Sequence, residues 1–502
     1  MRRSRRDCDA QIALAEYRRR GGHSDGPADR GRALRSCPLP PSPRVQSLSY
    51  VTDMNSPAKI HCRIGITSAL ILLSVTALPA QLPASASPFE GRRGAAIERL
   101  GSRLLLVPSR ESFKGDDQAV FKQATDFEYF TGLSDLVGAV LAIDGEERQS
   151  VLFLPPSNPL ITRPRVPFGE TGARALALAD VQPVDSLASW LARRASQRSA
   201  IVVSPNDARG TVQSPLPMAG TVARWASYLH SLGIGAQVSS ALPVTRALRE
   251  VKDAGEIATL QRVAEASGRA MLAGMRALTP GRRQRMVEAE VIRSCIRDGG
   301  VHSFWPWAMS GPHGVYTDLW NSFVDYAGHD RAMRSGELVR VDVGCQLDQY
   351  MGDVGRTAPV GGRFSPGQRE AWDVFIAGYL AGLAMVHDGV AGSDVYSAAR
   401  QRIRALEPTL KTGAGKRAVT ELLSPRGIEA WQFHNVGLDD AEGAPKILRA
   451  GMVVAYELMF ALDGEGYYLE DMVLIEAAGY RMLTRGLPYT SFEIERAMAH
   501  RR

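Results

Sequence analysis

Cysteine, histidine and long apolar runs are all scarce in this chain. Its 502 residues include five cysteines and nine histidines. The low cysteine count excludes a scaffold held together by many disulfides. No apolar run reaches the roughly 20 residues that a membrane-spanning helix needs, which argues against stable insertion in a membrane. With 45% hydrophobic and 23% charged residues, the composition indicates an ordinary globular protein of about two or three domains.

An excess of positive charge is also missing from most of the chain. The formal net charge is +7, but residues 1–53 hold about eleven arginines against six acidic residues. Residues 54–86 add only Lys59 and Arg63. The remainder is close to neutral, so we expect no nucleic-acid or polyanion partner, which would need a basic face on the folded domain.

Two segments before residue 87 have the character of leader sequence. Residues 1–53 are rich in Arg, Gly and Pro, and we expect them to be disordered or to precede the true start at Met54. Residues 54–86 have a short basic start, an apolar run and small residues ending at Ala86, which is the pattern of a secretory signal peptide. A buried core helix is the alternative, and the flanking Arg-, Pro- and Ser-rich sequence disfavours it. We therefore expect cleavage after Ala86 and export to the periplasm or the extracellular space.

Two cysteines, Cys295 and Cys345, follow the predicted cleavage point. They could pair or stay buried as free thiols, and the sequence does not decide between these states. Two cysteines in a large exported domain do not make a disulfide framework in either case.

The rest of the chain divides into two patterns. Between residues 87 and 248, short apolar runs alternate with helical stretches, which is typical of an α/β domain. A long helical pattern follows, and strands dominate after about residue 335, interrupted by helices around 366–388 and 392–406. We expect an α+β protein with one domain over residues 87–248 and a second over 249–495.

A first pair of carboxylates is predicted at a hairpin. In the stretch LVRVDV, Asp342 projects from the face opposite the valines, because side chains alternate along a strand. A turn around Cys345–Gln349 would pair this strand with YMGDVGRT. Folding the hairpin would bring Asp353 near Asp342.

Two later strands carry further isolated acids. GMVVAYELMFAL contains Glu457, and GYYLEDMVLIE contains Glu470 and Asp471. Any one of these acids could lie at a strand end or on a solvated face. Together, with His434 between the pairs, they indicate a cluster that needs cations, because buried carboxylates repel one another and are costly to desolvate. Two divalent ions would offset four negative charges, and oxygen ligands with one imidazole suit Mn, Co, Zn or Fe.

Five short motifs in order resemble the metal-ligand series of the pita-bread metallopeptidases, the family of aminopeptidase P, prolidase, methionine aminopeptidase and creatinase. The motifs are RVDVG, GDVGRT, FHNVGLD, GMVVAYE and YLEDMVL. The upstream stretch QATDFEYFTGLSDLVGAVLAIDG is similar to the N-terminal domain of aminopeptidase P and prolidase. The resemblance implies a creatinase/prolidase-like α/β domain followed by a pita-bread catalytic domain, closest to Xaa-Pro aminopeptidase.

The resemblance also implies a role for each candidate ligand. Asp342 would bind one of two divalent ions, with manganese favoured. Asp353 and Glu470 would bridge both ions. His434 and Glu457 would complete the other site, and Glu457 would also act as the catalytic acid/base. The family often forms dimers, so the resemblance is compatible with a homodimer.

The substrate-binding residues depart from the family pattern. Ala441 stands where the family has a histidine after the GLD motif, and Ala430 stands where another precedes the ligand histidine. Asp318 falls where a loop histidine is expected. Tyr468 replaces an arginine that usually stands two residues before the last glutamate. The metal ligands are therefore kept while much of the substrate-binding shell is changed.

Two other histidines could supply an imidazole from a different place. We include His313, from SGPHGVYTD, among the predicted catalytic residues, and His302 is a second candidate. A surface or loop position without a catalytic role is the alternative for each.

The predicted function is hydrolysis of a peptide bond by a secreted dinuclear metalloenzyme, most simply an Xaa-Pro aminopeptidase or dipeptidase. A non-hydrolytic family member that binds metal or a peptide is the alternative, because the expected histidines are absent. A creatinase-like amidinohydrolase ranks last. That group works without metals through a histidine, whereas this chain keeps the carboxylates and loses histidines.

Overall fold

The computed structural model describes residues 87–111, 121–155, 166–195, 198, 200–205, 220–315, 321, 325–424 and 431–499. The predicted disordered segment 1–53 and signal peptide 54–86 lie outside these ranges, as do Asp318 and Ala430. Within the described part, no helix has both the length and the apolar character required to cross a membrane.

The first part of the described chain folds around a six-stranded mixed sheet. Its strands are β1 (Leu104–Pro108), β2 (Val140–Asp144), β3 (Gln149–Leu154), β4 (Asp180–Pro183), β5 (Ala200–Val203) and β6 (Gln237–Ser240). They lie in the order β4-β3-β2-β1-β5-β6. Leu105 and Val107 of β1 pack in one apolar cluster, and Leu104 and Leu106 pack in another. Burial on both faces explains why β1 appears in the sequence as the unbroken apolar run LLLVP.

Six helices accompany this sheet among the described residues. They are α1 (Ser87–Leu100), α2 (Thr125–Thr131), α3 (Gly169–Leu176), α4 (Leu187–Arg194), α5 (Thr221–Ser231) and α6 (Leu242–Arg249). The alternation of strands and helices is the α/β pattern that the sequence predicts.

The second part is built on a seven-stranded sheet whose described pairs are all antiparallel. Its strands are β8 (Trp307–Ser310), β9 (Leu338–Val343), β12 (Val354–Pro359), β13 (Trp431–Asn435), β14 (Val453–Leu462), β15 (Glu465–Glu476) and β16 (Gly479–Met482). A smaller sheet contains β7 (Val301–His302), β10 (Cys345–Leu347) and β11 (Tyr350–Met351). The large sheet runs in the order β13-β14-β15-β12-β9-β8, and β16 pairs with β15.

The helices of this part, as far as the structure describes it, are α7 (Ala254–Arg276), α8 (Gln284–Arg297), α9 (Tyr326–His329), α10 (Pro366–Leu383), α11 (Gly392–Leu406), α12 (Gly413–Leu423) and α13 (Ser491–Ala499). Helix α7 starts with a capping box. The Asp253 carboxylate accepts a hydrogen bond from the backbone N–H of Glu256, and the Glu256 carboxylate accepts one from the backbone N–H of Asp253. Residues from α7, α8 and α10 to α13 form one apolar core with Val339, Val341 and Val343 of β9. The valine face of the sheet is therefore covered, and Asp342, the acidic residue of β9, lies on the other face.

The predicted hairpin is confirmed. Strand β9 pairs with β12, with Asp342 opposite Gly355. Beyond this pair, the same hairpin continues as the paired strands β10 and β11. Asp348 and Gln349 join these two strands and have φ angles of 47° and 70°. Positive φ at both central residues is the geometry of a tight two-residue hairpin turn.

A disulfide joins Cys295 in α8 to Cys345 in β10, with Cα atoms 5.4 Å apart. Both residues are fully buried. The bond ties α8 to the segment that directly follows the strand carrying Asp342. Of the two states that the sequence left open, the structure contains the paired one.

Candidate metal centre

Three carboxylates lie in one row across the large sheet. Asp342 on β9 is opposite Gly355 on β12, and Gly355 is opposite Glu470 on β15. Glu470 is in turn opposite Glu457 on β14. Directly opposed residues of antiparallel strands point to the same face. The register therefore brings these acids to one side of the sheet, separated at Gly355 by a position without a side chain.

Asp353 and His434 join this row from neighbouring positions. Each lies two residues along its chain from a member of the row, and a spacing of two keeps a side chain on the same face. The Nε2 atom of His434 is 3.3 Å from Glu470 Oε1 and 3.8 Å from Asp353 Oδ2. It is 3.9 Å from Glu457 Oε2. All five predicted ligand residues thus face one side of the sheet.

The residues present fit a divalent cation. One ligand atom each from Asp353, His434 and Glu470 lies within 4.8 Å of the others. Within the described residues, neither Asp342 Oδ1 nor His434 Nδ1 has a hydrogen-bond partner, although both atoms are buried. A buried carboxylate oxygen without a donor is costly unless a cation lies beside it. Carboxylate oxygens with one imidazole are the donor set expected for such an ion.

The electrostatics of the cluster point the same way. Burial raises the pKa of Asp342 to about 7 and the pKa of Glu457 to about 8. Burial and then repulsion from Glu470 raise the pKa of Asp353 well above its usual range. For His434, burial lowers the pKa, but the hydrogen bond and charge of Glu470 outweigh it and raise the pKa to about 9. For Glu470, burial raises the pKa, but the hydrogen bond and charge of His434 outweigh it and lower the pKa. Without cations, the three acids with raised pKa, Asp342, Asp353 and Glu457, therefore favour their neutral forms.

A guanidinium lies beside the carboxylates, although Tyr468 replaces the arginine expected from the sequence. It belongs to Arg340 on β9, whose Nη2 is 3.1 Å from Asp342 Oδ2. Its Cζ lies 4.1 Å from the centre of the Tyr468 ring. Alternation along LVRVDV places Arg340 on the same face as Asp342, but no role was predicted for it. The signal in the sequence that could have indicated a role for Arg340 is its position in LVRVDV, where it alternates with valines and lies two residues before the candidate ligand Asp342.

Asp471 does not belong to the cluster. It is adjacent to Glu470 in β15 and therefore faces the other side of the sheet. Its carboxylate accepts hydrogen bonds from Arg356 at 2.8 Å and Tyr379 at 2.9 Å, and Thr484 donates to it at 2.7 Å. This acid is a satisfied member of the core.

The loop after His434 is held by a buried ion network that the sequence did not reveal. Glu442, next to Ala441, pairs with Arg249 and Lys252 at 2.8 Å each. Burial raises the pKa of Glu442, but these two cations outweigh it and lower the pKa to about 2. Arg249 also pairs with Asp126 at 2.7 Å and with Asp439 at 2.9 Å. The network joins the end of α6, the start of α2 and the loop that follows the candidate ligand.

The two other candidate histidines lie elsewhere in the fold. His313 is in a short 3₁₀ turn after β8, with Nδ1 3.2 Å from the carbonyl oxygen of His329. His302 is on β7, next to the ring of Trp305. Among the described residues, neither imidazole forms a hydrogen bond or ion pair with the carboxylate cluster. The catalytic role of His313 stays a prediction.

Comparisons with known proteins identify relatives of both parts of the chain. Residues 258–477 match Metallopeptidase family M24, and residues 89–203 match the N-terminal domain of aminopeptidase P. The Xaa-Pro aminopeptidase of Escherichia coli strain K12 is 26% identical over 454 residues, which cover 82% of this chain and 98% of that protein.

Two solved structures show the same fold along nearly their whole length. Escherichia coli aminopeptidase P with the inhibitor Pro-Leu has a TM-score of 0.66 and 24% identity, and the match covers 83% of this chain and 99% of that one. The zinc-substituted Escherichia coli aminopeptidase P in complex with product has a TM-score of 0.65 and 23% identity, with the same coverage. The expected α+β fold, with an aminopeptidase P-like N-terminal part before the catalytic part, is confirmed.

Proposed function

This chain belongs to the pita-bread family of metallopeptidases, and on that premise we propose that it is an exported Xaa-Pro aminopeptidase with two divalent ions. As a member of the family it is a metal-dependent enzyme that hydrolyses peptide bonds. One observation carries the proposal: four carboxylates and one imidazole from separate strands converge on one face of the sheet.

Two ions match the charge and the arrangement of the cluster. Asp342 would hold one ion, and His434 and Glu457 would hold the other. Asp353 and Glu470 would contact both. When bound, such ions polarise the carbonyl group of the substrate and make water a better nucleophile near neutral pH. We favour manganese, with cobalt, zinc and iron as alternatives.

The protein's own groups would handle the substrate and the proton. Glu457 is buried within the cluster, with Oε2 3.9 Å from His434 Nε2, and we assign it to take up and return a proton at a carboxylate oxygen. The apolar core below the sheet and the ion pairs of Glu442, in the loop after His434, keep the ligand strands in fixed positions. Groups fixed in this way need no reorganisation during the reaction.

The proposal that the enzyme prefers proline rests on similarity to relatives that are Xaa-Pro aminopeptidases. The changed positions Ala441 and Tyr468 lie where the resemblance places substrate-binding groups. Activity should therefore be weakened or redirected relative to an aminopeptidase with the full set of histidines, since loss of one polar stabiliser typically costs about 10² to 10³ in rate. The test compares rates on matched peptides that differ only in proline or alanine at the second position. Equal rates on the two series would exclude proline specificity.

Metal should stabilise the fold, because cations relieve the repulsion among Asp342, Asp353, Glu457 and Glu470. After treatment with a chelator, adding Mn, Co or Zn at 100 times the dissociation constant should stabilise the folded state by about 2.7 kcal/mol. The melting temperature measured by calorimetry should rise accordingly, and sodium chloride at equal ionic strength provides a control for general salt effects. An unchanged melting temperature, with no metal found by elemental analysis, would remove the basis for these ligands.

Export is supported by the buried disulfide between Cys295 and Cys345, since disulfides persist in oxidising compartments. The signal-peptide pattern of residues 54–86 predicts that the mature chain starts at Ser87. N-terminal sequencing of the protein from its native host should therefore yield SPFEG. A cytoplasmic product that keeps residues 54–86 would contradict the proposal.

A further inference from the structure

Arg340 occupies an unusual place for an arginine. Its side chain is 2% exposed and lies in the middle of β9, on the face that carries the candidate metal ligands. A fixed positive charge beside a cation site repels the cations that the site should bind. We therefore expect Arg340 to have a function whose benefit exceeds the cost of this repulsion.

The contacts of Arg340 and Tyr468 have a common feature. Arg340 holds Asp342 through Oδ2 at 3.1 Å, while Asp342 Oδ1 has no hydrogen-bond partner within the described residues. The Tyr468 hydroxyl donates to Glu470 Oε2 at 2.6 Å, while Glu470 Oε1 faces His434 Nε2 at 3.3 Å. One oxygen of each carboxylate is thus held by Arg340 or Tyr468, which leaves Asp342 Oδ1 without a partner and Glu470 Oε1 beside the imidazole of His434.

Gly355 allows the two residues to meet. Arg340 is on β9 and Tyr468 is on β15, and β12 runs between these strands. A Cβ atom on Gly355 would lie 2.0 Å from Cε1 of the Tyr468 ring, which is far closer than any real contact. The missing side chain lets the tyrosine ring extend over β12 until the Arg340 guanidinium stacks on it at 4.1 Å.

We propose that Arg340 and Tyr468 form a positioning pair that fixes Asp342 and Glu470 as metal ligands. The inference rests on the proposed metal centre and deepens it. The planar guanidinium can donate to a carboxylate while it stacks flat on an aromatic face, and a lysine ammonium, which is not planar, lacks this stacking geometry. Neither residue needs to touch the ion, because groups that orient ligands typically contribute 10- to 100-fold in metal affinity.

The test measures metal affinity with a competing chromophoric chelator, using manganese and cobalt(II). Arg340→Met, Arg340→Lys and Tyr468→Phe should each bind metal about 10- to 100-fold more weakly than the wild type. The double variant Arg340→Met/Tyr468→Phe should lose less than the product of the two single losses, because the pair acts as a unit. The absorption bands of bound cobalt(II) should also change, since they report the coordination of the ion.

The matched control is Tyr467→Phe, which removes a hydroxyl from the neighbouring residue in β15 on the core side of the sheet. It should leave metal affinity unchanged. Thermal melts of the metal-free variants separate misfolding from loss of positioning.

If Arg340 supplied only charge, Arg340→Lys would bind metal like the wild type and Arg340→Met would bind it more tightly, and this result would overturn the inference. If the wild type itself bound no metal, the proposed function would fail with it.

Discussion

Replacing Glu457 with glutamine should lower kcat/KM on Xaa-Pro peptides by about 10² to 10⁴ in the metal-loaded enzyme. Glutamine has nearly the same shape but cannot take up a proton, and it brings no negative charge to the metal. The side chain is buried in the row of carboxylates, directly opposite Glu470 on the adjacent strand. Steady-state kinetics on Xaa-Pro dipeptides, longer Xaa-Pro peptides and unrelated amides would measure the loss.

The matched control for this variant is Glu476→Gln. Glu476 ends β15 and forms an exposed pair with Arg481, so its replacement should leave the kinetics unchanged. Metal content must be measured for each protein, because Glu457 is also a candidate ligand. If the wild type and Glu457→Gln were equally inactive on every amide while both bound metal, hydrolysis would be the wrong assignment for this centre. Equal activity of the two would mean that the proton is handled by another group.

Replacing Arg249 with methionine should lower the free energy of unfolding by about 3 to 5 kcal/mol. The guanidinium is buried and pairs with Asp126, Asp439 and Glu442. Removing it takes an ion-pair partner from all three acids. Among the described contacts, Glu442 would keep its ion pair with Lys252. Uncompensated buried charge is among the largest single causes of destabilisation. Chemical denaturation of the metal-free protein would measure the effect.

Arg262→Met is the control that removes an arginine charge from an exposed ion pair instead of a buried one. Arg262 also forms an ion pair, at 2.8 Å with Asp348, but its side chain and that of its partner are 56% and 66% exposed. Exposed pairs contribute about 0 to 1 kcal/mol, so this variant should unfold almost like the wild type. Equal stability of Arg249→Met and the wild type would show that the network does not hold the loop after His434.

The ligand cluster could be predicted because local sequence carries most of its information. Alternation in LVRVDV assigns Asp342 to the face opposite the valines, and the tight turn at Asp348 brings Asp353 back beside it. The order of the five motifs then connects strands that are distant in the sequence. The same alternation rule could have assigned Asp471 to the core face, since adjacent residues of a strand cannot share a face.

The surroundings of the cluster could not be predicted in this way. The contact between Arg340 and Tyr468 depends on the order of three strands and on the space above Gly355. The network of Arg249 joins acids from the first and second parts of the chain, and no local pattern marks such partners. Pairing of Cys295 with Cys345 likewise depends on the packing of α8 against β10. These features follow from tertiary packing, which periodicity along one segment does not encode.

We propose that two metal ions are held by five side chains, those of Asp342, Asp353, His434, Glu457 and Glu470. Anomalous X-ray diffraction at the manganese absorption edge, from crystals of the manganese-loaded protein, would locate these ions. We predict two anomalous peaks among these five side chains, both contacted by Asp353 and Glu470. No peak at this place, or peaks bound only by other residues, would contradict it.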